Sequence, residues 1–303
     1  MSVIAAEHLT RRYGSFVAVD DLRLDVPAGA IFGFLGPNGA GKTTTIRMLL
    51  GFLRQSAGRA TIFGHDCWRE SRRIKQDVGY LPGDLRLYPT LTGAATIAMA
   101  GRIRGRELRT PGAALADRFD LDLAVPVRAM SRGMRQKLGL ILALAHEPRL
   151  LVLDEPTASL DPLMQQALAD RLRELARDGC TVFFSSHTLS EVEALCDRVA
   201  IVRDGRIVSD ETLASLRARA KRQVTVVFAT AEDAARLAPP PSLDVRERTA
   251  TEWRGELTGT ASDLVRWAAS QPIADLIVHP PDLVSLFQRA YEDRDGGRKE
   301  SRR

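Results

Sequence analysis

The sequence predicts an α/β fold: a mainly parallel sheet with helices packed on it, followed by a second, smaller α/β unit. Three observations carry this. A glycine-rich loop, residues 36–43 (GPNGAGKT), lies between an apolar run, AIFGFL, and a helical pattern, TTTIRMLLGFL. The run LLVLD at 150–154 is apolar up to its last residue, as in a strand buried on both faces. After about Lys221 the pattern restarts with VTVVF, and short strands and helices follow to about residue 292.

Taken in order, VIAAEHL, LRLDV after Asp21, and AIFGFL read as strands. The loop 36–41 leads into a helix from Lys42. GRATIFG is a short strand punctuated by Gly58 and Gly64, and residues 74–80 lead to a strand end at Tyr80-Leu81-Pro82. A helical, small-residue-rich pattern covers about 93–105. A second helix is expected after Pro111, ending near Val125-Pro126. A third opens at Ser131, its apolar face carried by Leu138, Ile141, Leu142, Leu144 and Ala145, and ends before Pro148. Beyond LLVLD, 162–177 is helical, TVFFSS is a strand, 189–196 is a helix, and VAIVRDGRIVSD is a hairpin turning at Asp204-Gly205. In the last unit VTVVF is a strand, Pro239-Pro240-Pro241 a break, and DVRERTATEWRGELTG a polar hairpin. DLVRWAAS is a helix, IADLIV a strand, and PDLVSLFQRAYED a final helix. Trp253 and Trp267 read as core or interface anchors. The end, DRDGGRKESRR, is polar and lacks an apolar anchor, so a flexible tail is expected.

A chain of 303 residues accommodates two domains. Forty-three Lys and Arg against 38 Asp and Glu make it mildly basic, which suits a neighbour of nucleotides, nucleic acid or acidic lipid and equally suits arginine-rich coding bias. Cys67, Cys180 and Cys196 form no CxxC pair, so a disulfide framework is not indicated and a reducing cytoplasm fits. No window approaches ~18 uninterrupted apolar residues, and the first residues lack an apolar segment of signal-peptide length, so no span or leader is expected.

The chemistry begins at the loop. Gly36, Pro37, Asn38, Gly39, Ala40, Gly41, Lys42 and Thr43 match G-x-x-x-x-G-K-[ST] in full, between strand and helix as the motif requires. Its glycines let successive backbone N–H groups face a phosphate, and the helix N-terminus adds its dipole. Lys42 would supply charge to β- and γ-phosphates, and Thr43 a hydroxyl to Mg²⁺. Thr44, next in the helix, is grouped with the binding residues. LLVLD places Asp154 at a strand end, where it would hold Mg²⁺ directly or through water; Glu155 would polarise an attacking water. His187 follows the apolar strand TVFFSS, where a neutral imidazole would bridge a γ-phosphate oxygen and that carboxylate. His8, His65, His146 and His279 have no comparable setting and are read as surface or structural.

With these motifs in this order the chain resembles the ATP-binding cassette family, over about residues 3–220. The resemblance rests on the phosphate loop, Ser131-Arg132-Gly133-Met134, Asp154-Glu155, the turn Ala158-Ser159-Leu160-Asp161, and His187. It implies a phosphate-loop NTPase core of RecA-like topology, an antiparallel β arm, and a helical subdomain inserted at about 84–146. The ATPase domain would occupy 1–221, an accessory α/β domain 222–292, and the basic tail 293–303. It implies ATP and Mg²⁺ as cofactors and Tyr13 as the aromatic that stacks on adenine. Ser131 and Gly133 would face the γ-phosphate held by a second ATPase subunit, most simply in a homodimer. Two positions depart from the pattern: Arg132 stands where the family usually has Gly, and Gly83, followed by Asp84, where it often has a Mg²⁺-sensing Gln.

The function so implied is an ATPase subunit on the cytoplasmic face of the membrane that powers a separate integral-membrane permease. The C-terminal unit and the segment around Tyr80–Leu91 resemble the branch with ABC-2-type permeases, exporters of drug-like, lipid or polymer substrates. The alternative is a soluble cassette ATPase acting on nucleic acid or ribosomes. The lack of a long coiled coil and of a tandem cassette weighs against it, and no specific nucleic acid is expected as a partner.

Overall fold

A computed structural model of the chain describes residues 2–219 and 221–281. The tail at 293–303 lies outside them, as does the final helix expected over 281–293, apart from Pro281. Two compact units divide between Leu213 and Ala214.

The first unit holds two sheets and a helical region. Its strands are β1 (Ser2–Tyr13), β2 (Phe16–Pro27), β3 (Ile31–Leu35), β4 (Ala57–Ile62), β5 (His65–Asp66), β6 (Val78–Leu81), β7 (Leu150–Asp154), β8 (Thr181–Ser186), β9 (Arg198–Arg203) and β10 (Arg206–Thr212). Its helices are α1 (Lys42–Leu49), α2 (Ser71–Ile74), α3 (Gly93–Arg104), α4 (Arg109–Arg118), α5 (Arg132–Leu144), α6 (Pro162–Arg177) and α7 (Leu189–Leu195). Strands β2-β1-β4-β5 form an antiparallel sheet. The larger sheet runs β10-β9-β3-β8-β7-β6, parallel from β9 to β6, with β10 pairing antiparallel at one edge.

Every residue of β3, β7 and β8 is buried, which is why β3 and β7 read as near-continuous apolar runs rather than alternating ones. The rings of Phe32 and Phe34 on β3 lie 5.9 and 5.1 Å from Phe183 on β8 and form the middle of the sheet's core. Helix α6 starts as its sequence dictates: Asp161 accepts the Met164 N–H at 2.9 Å, and Pro162 fills the first turn, where an absent N–H costs nothing. Leu168, Leu172 and Leu175 then bury one face of it.

One expected helix is corrected. The helix placed after Pro111 begins earlier, at Arg109, and ends at Arg118 rather than near 126. Asp120 turns left-handed (φ 49°). The apolar residues beyond it run beside the start of α3, where the carbonyls of Leu123 and Val125 accept the Ala94 and Gly93 N–H groups. Tertiary hydrogen bonds, not helical ones, satisfy that backbone.

The second unit contains β11 (Arg222–Phe228), α9 (Ala231–Arg236), β12 (Leu243–Arg248), β13 (Glu252–Leu257), α10 (Ala261–Ala269) and β14 (Ile273–Pro281); α8 (Leu213–Arg219) bridges the division point. Its sheet order is β12-β13-β11-β14 with all pairs antiparallel, a split βαβ arrangement. Trp253, 1% exposed, centres the core, edge-on to Phe228 at 4.6 Å and stacked with Trp267 at 6.2 Å. No helix among the described residues is long and apolar enough to cross a membrane. Cys67, Cys180 and Cys196 are free and buried.

His146, 4% exposed, closes the seam between the helical region and β6. Its Nε2 bonds the Val78 carbonyl at 3.2 Å, and Arg104 reaches the same carbonyl at 3.2 Å. Burial, aided by the Arg104 charge, lowers its pKa from 6.5 to about 4. Between those values the unfolded chain binds a proton that the folded chain refuses, so stability falls as pH drops from 6.5 towards 4, by on the order of 3 kcal/mol. Urea midpoints at pH 7 and pH 4.5 should separate less for His146→Gln, which keeps a donor for Val78, than for the unaltered protein.

Candidate functional site

The site is built where β3, β8 and β7 end on one edge of the larger sheet. These strands are neighbours in register: Leu35 pairs with Ser186, and Asp154 with Ser185. The loop after β3 is pinned at once, the Gly36 N–H donating to the Ser186 carbonyl at 3.1 Å. A Cβ on Gly36 would stand 2.4 Å from the Val202 carbonyl oxygen, so no larger residue passes under β9 there. Gly41 at φ 100° turns the chain into α1, and a Cβ on it would lie 2.6 Å from the Ala18 carbonyl oxygen.

Lys42 opens α1 and is only 6% exposed. Its Nζ donates to the carbonyls of Gly36 (2.6 Å) and Pro37 (3.3 Å) and pairs with Glu155 Oε1 at 3.2 Å. Thr43 Oγ1 donates to Asp154 Oδ2 at 2.9 Å, and Ser185 Oγ to Asp154 Oδ1 at 2.6 Å. Two hydroxyls thus satisfy a carboxylate that is 1% exposed. Close by, burial and then the Asp154 charge push the Tyr80 hydroxyl up to about 12 against the opposing pull of Arg47.

Glu155 turns the chain out of the sheet in a left-handed conformation (φ 55°). Its Oε2 meets His187 Nδ1 at 2.5 Å. Both chemically suited groups expected at this edge, Glu155 and His187, are therefore in direct contact, though 32 residues apart in sequence.

Above them a cleft of 430 Å³ is lined by Pro37, Asn38, Gly39, Gly41, Lys42, Thr43 and Thr44, by Asp154 and Glu155, and by Gly83, Phe16 and Ala18. Gly36 and Ala40, also in the loop, are buried; the Ala40 N–H donates to the Pro37 carbonyl, and the Ala40 carbonyl accepts from the Gly205 N–H. The Thr43 hydroxyl and Asp154 carboxylate open onto this cleft as adjacent hard oxygen donors, the ligand type Mg²⁺ takes alongside phosphate oxygens and water. Among the described residues no cluster of three or more His, Cys, Asp or Glu competes for a softer metal.

Tyr13 is 47% exposed, with the Arg11 guanidinium 4.5 Å over its ring, and is not among the lining residues; Phe16, 63% exposed, is. Phe16 was missed because a lone exposed aromatic carries no periodic signal. Ser131 and Gly133 stand apart from the cleft. The Ser131 hydroxyl accepts the Met134 N–H at 3.1 Å and caps α5, while Gly133 presses on the Ser159 carbonyl, 3.0 Å from where a Cβ would sit. Arg132 is exposed beside them. Asp84 turns outward, 70% exposed and paired with Arg86 at 2.9 Å, which leaves Gly83 facing Asp154.

Residues 19–158 match the family model described as ABC transporter. Over 212 residues the chain is 37% identical to the Nod factor export ATP-binding protein I of Ralstonia nicotianae, spanning 68% of this chain and 66% of that protein, just under two thirds of its length. It is 36% identical to the bacitracin transport ATP-binding protein of Bacillus licheniformis, over 73% of each chain. It is 37% identical to the daunorubicin/doxorubicin resistance ATP-binding protein of Streptomyces peucetius, over 71% of this chain and 66% of that one. Among solved structures, an ATP-binding subunit of an ABC transporter superposes with a TM-score of 0.67 at 28% identity, covering 72% of this chain and 93% of that one.

Replacing Gly36 by Ala should lower stability by about 1–3 kcal/mol, the cost of forcing a methyl against fixed backbone, and weaken nucleotide binding with it. Thermal melting and a fluorescent-nucleotide titration read both effects.

Proposed function

The chain belongs to the ATP-binding subunits of ABC transporters, and on that premise we propose that it hydrolyses ATP to power an exporter whose membrane-spanning permease is a separate partner. The observation that carries the reading is the single sheet edge on which Lys42, Thr43, Asp154, Glu155 and His187 converge. Arriving phosphates replace the Gly36 and Pro37 carbonyls and the Glu155 carboxylate as partners of Lys42, and the backbone N–H groups of Asn38, Gly39 and 41–44 cradle them. Thr43 and Asp154 hold Mg²⁺, which supplies positive charge to the β- and γ-phosphate oxygens. Release from Lys42 frees Glu155 to orient the attacking water, with His187 holding that carboxylate from its other oxygen.

Tyr13 and Phe16 form the aromatic wall for adenine, Tyr13 swinging from under Arg11. Ser131 and Gly133 face the nucleotide of a second copy, so a homodimer holds two composite sites. The relatives named for bacitracin, daunorubicin and Nod factor export favour an ABC-2-type exporter of drug-like, lipid or polymer cargo. The subunit works peripherally on the cytoplasmic face, the segment around Tyr80–Leu91 meeting the permease, with residues 222–292 as an accessory domain.

Glu155→Gln should cut ATP turnover by roughly 100-fold or more while keeping ATP bound and trapping a dimer, read by phosphate release and by size-exclusion chromatography with ATP. Turnover unaltered by this change would remove Glu155 from the reaction. The nearest atoms to a Cβ on Gly83 are the Asp154 main-chain and side-chain oxygens at 3.5 Å, ordinary contact, so Gly83→Gln meets no clash at its Cβ. It should lower the Mg²⁺ concentration for half-maximal turnover by adding an oxygen to a site that lacks one.

A further inference from the structure

Glu155 and His187 meet at 2.5 Å, yet each stands on a turn that its strand alone does not fix. Glu155 is the first residue after β7 and left-handed, and His187 the first after β8. A second carboxylate lies behind them. Glu191, in the first turn of α7, accepts the Thr157 hydroxyl on Oε1 at 2.8 Å and the Ser186 hydroxyl on Oε2 at 2.6 Å. Thr157 belongs to the turn that carries Glu155, in which the Ala158 N–H donates to the Glu155 carbonyl. Ser186 precedes His187, and its oxygen also accepts the Thr188 N–H at 2.8 Å, so one serine brackets the histidine from both sides. The same residue's carbonyl accepts the Gly36 N–H of the phosphate loop.

We infer that Glu191 is a positioning residue that clamps the Glu155 turn to the His187 turn and so sets the contact between those two side chains. The inference rests on the proposed ATPase reading of the site. Glu191 does not line the cleft, so it acts through Thr157 and Ser186 and not on nucleotide. Hydroxyls donating to an ionised carboxylate make short, strong bonds that hold both turns in one arrangement. Without the carboxylate, Thr157 and Ser186 lose their common partner. The Glu155 turn, already in a conformation costly for a residue with a Cβ, then has fewer restraints against relaxing. Glu191 holds Ser186 by its hydroxyl, whereas the phosphate loop is held by the Ser186 main-chain carbonyl, which strand pairing keeps in place, so binding and turnover separate.

The test is steady-state ATP hydrolysis and fluorescent-ATP affinity for the full chain, its Glu191→Ala and Glu191→Gln variants, Thr157→Val, and Glu155→Gln as reference. Glu191→Ala should lower kcat by about 10- to 100-fold, the effect of a small displacement of catalytic groups, with KM and ATP affinity within about twofold of the unaltered chain. Glu191→Gln should recover most of the loss, because its amide accepts from one hydroxyl and donates to the other. Thr157→Val should lower kcat in the same direction and carries the test if Glu191→Ala does not fold. Unchanged kcat in Glu191→Ala, or in Thr157→Val where it stands in, overturns the inference, as does a loss of affinity equal to the loss of kcat. An unaltered chain with no turnover, or one indifferent to Glu155→Gln, overturns the reading of the site itself, a separate outcome.

Discussion

The structure depends on the register of three parallel strands. Because β3, β8 and β7 are adjacent and end together, Leu35, Ser186 and Asp154 reach the same edge within one residue of each other. Residues 36–43, 154–155 and 187, distant in sequence, become neighbours once that register is set. A slip of one residue between β7 and β8 would turn Asp154 away from Ser185 and Thr43 and leave a buried carboxylate unpaired, which costs several kcal/mol.

The edge is also where the backbone is least ordinary. Gly36 and Gly41 sit where a Cβ would strike carbonyl oxygens, and Glu155 and Ser159 hold left-handed conformations despite their side chains. Such conformations persist only where neighbours over-determine them. The neighbours here are visible: the Ser185 hydroxyl on Asp154, the Gln136 amide on the Pro156 carbonyl at 2.9 Å, and Glu191 on Thr157 and Ser186. Gln136 and Gly133 tie the start of α5 to the turn after Glu155, so the segment proposed to face a partner's nucleotide and the carboxylate proposed to orient water share a support.

Much of this was legible because it is local. The phosphate loop announces itself by glycine spacing between a strand and a helix, and β3 and β7 by their apolar runs. What escaped depends on pairing across sequence. Ser185 looks like the polar end of an apolar strand until the parallel register sets it beside Asp154, 31 residues away. Glu191 looks like one more acid on a short helix. The stretch after Asp120 has the apolar content of a helix, and only its bonds to the start of α3 show otherwise. The short elements β5, α2 and α9 carry too few residues for any period to appear.

The central claim is that this edge is assembled to bind and split ATP, with Lys42 exchanging its present oxygen partners for phosphate. The measurement closest to it is phosphate release from ATP with Mg²⁺ by the purified chain, beside the same chain carrying Lys42→Ala. The account predicts steady release by the first and none above background by the second. Equal release from both, or none from either, would contradict it.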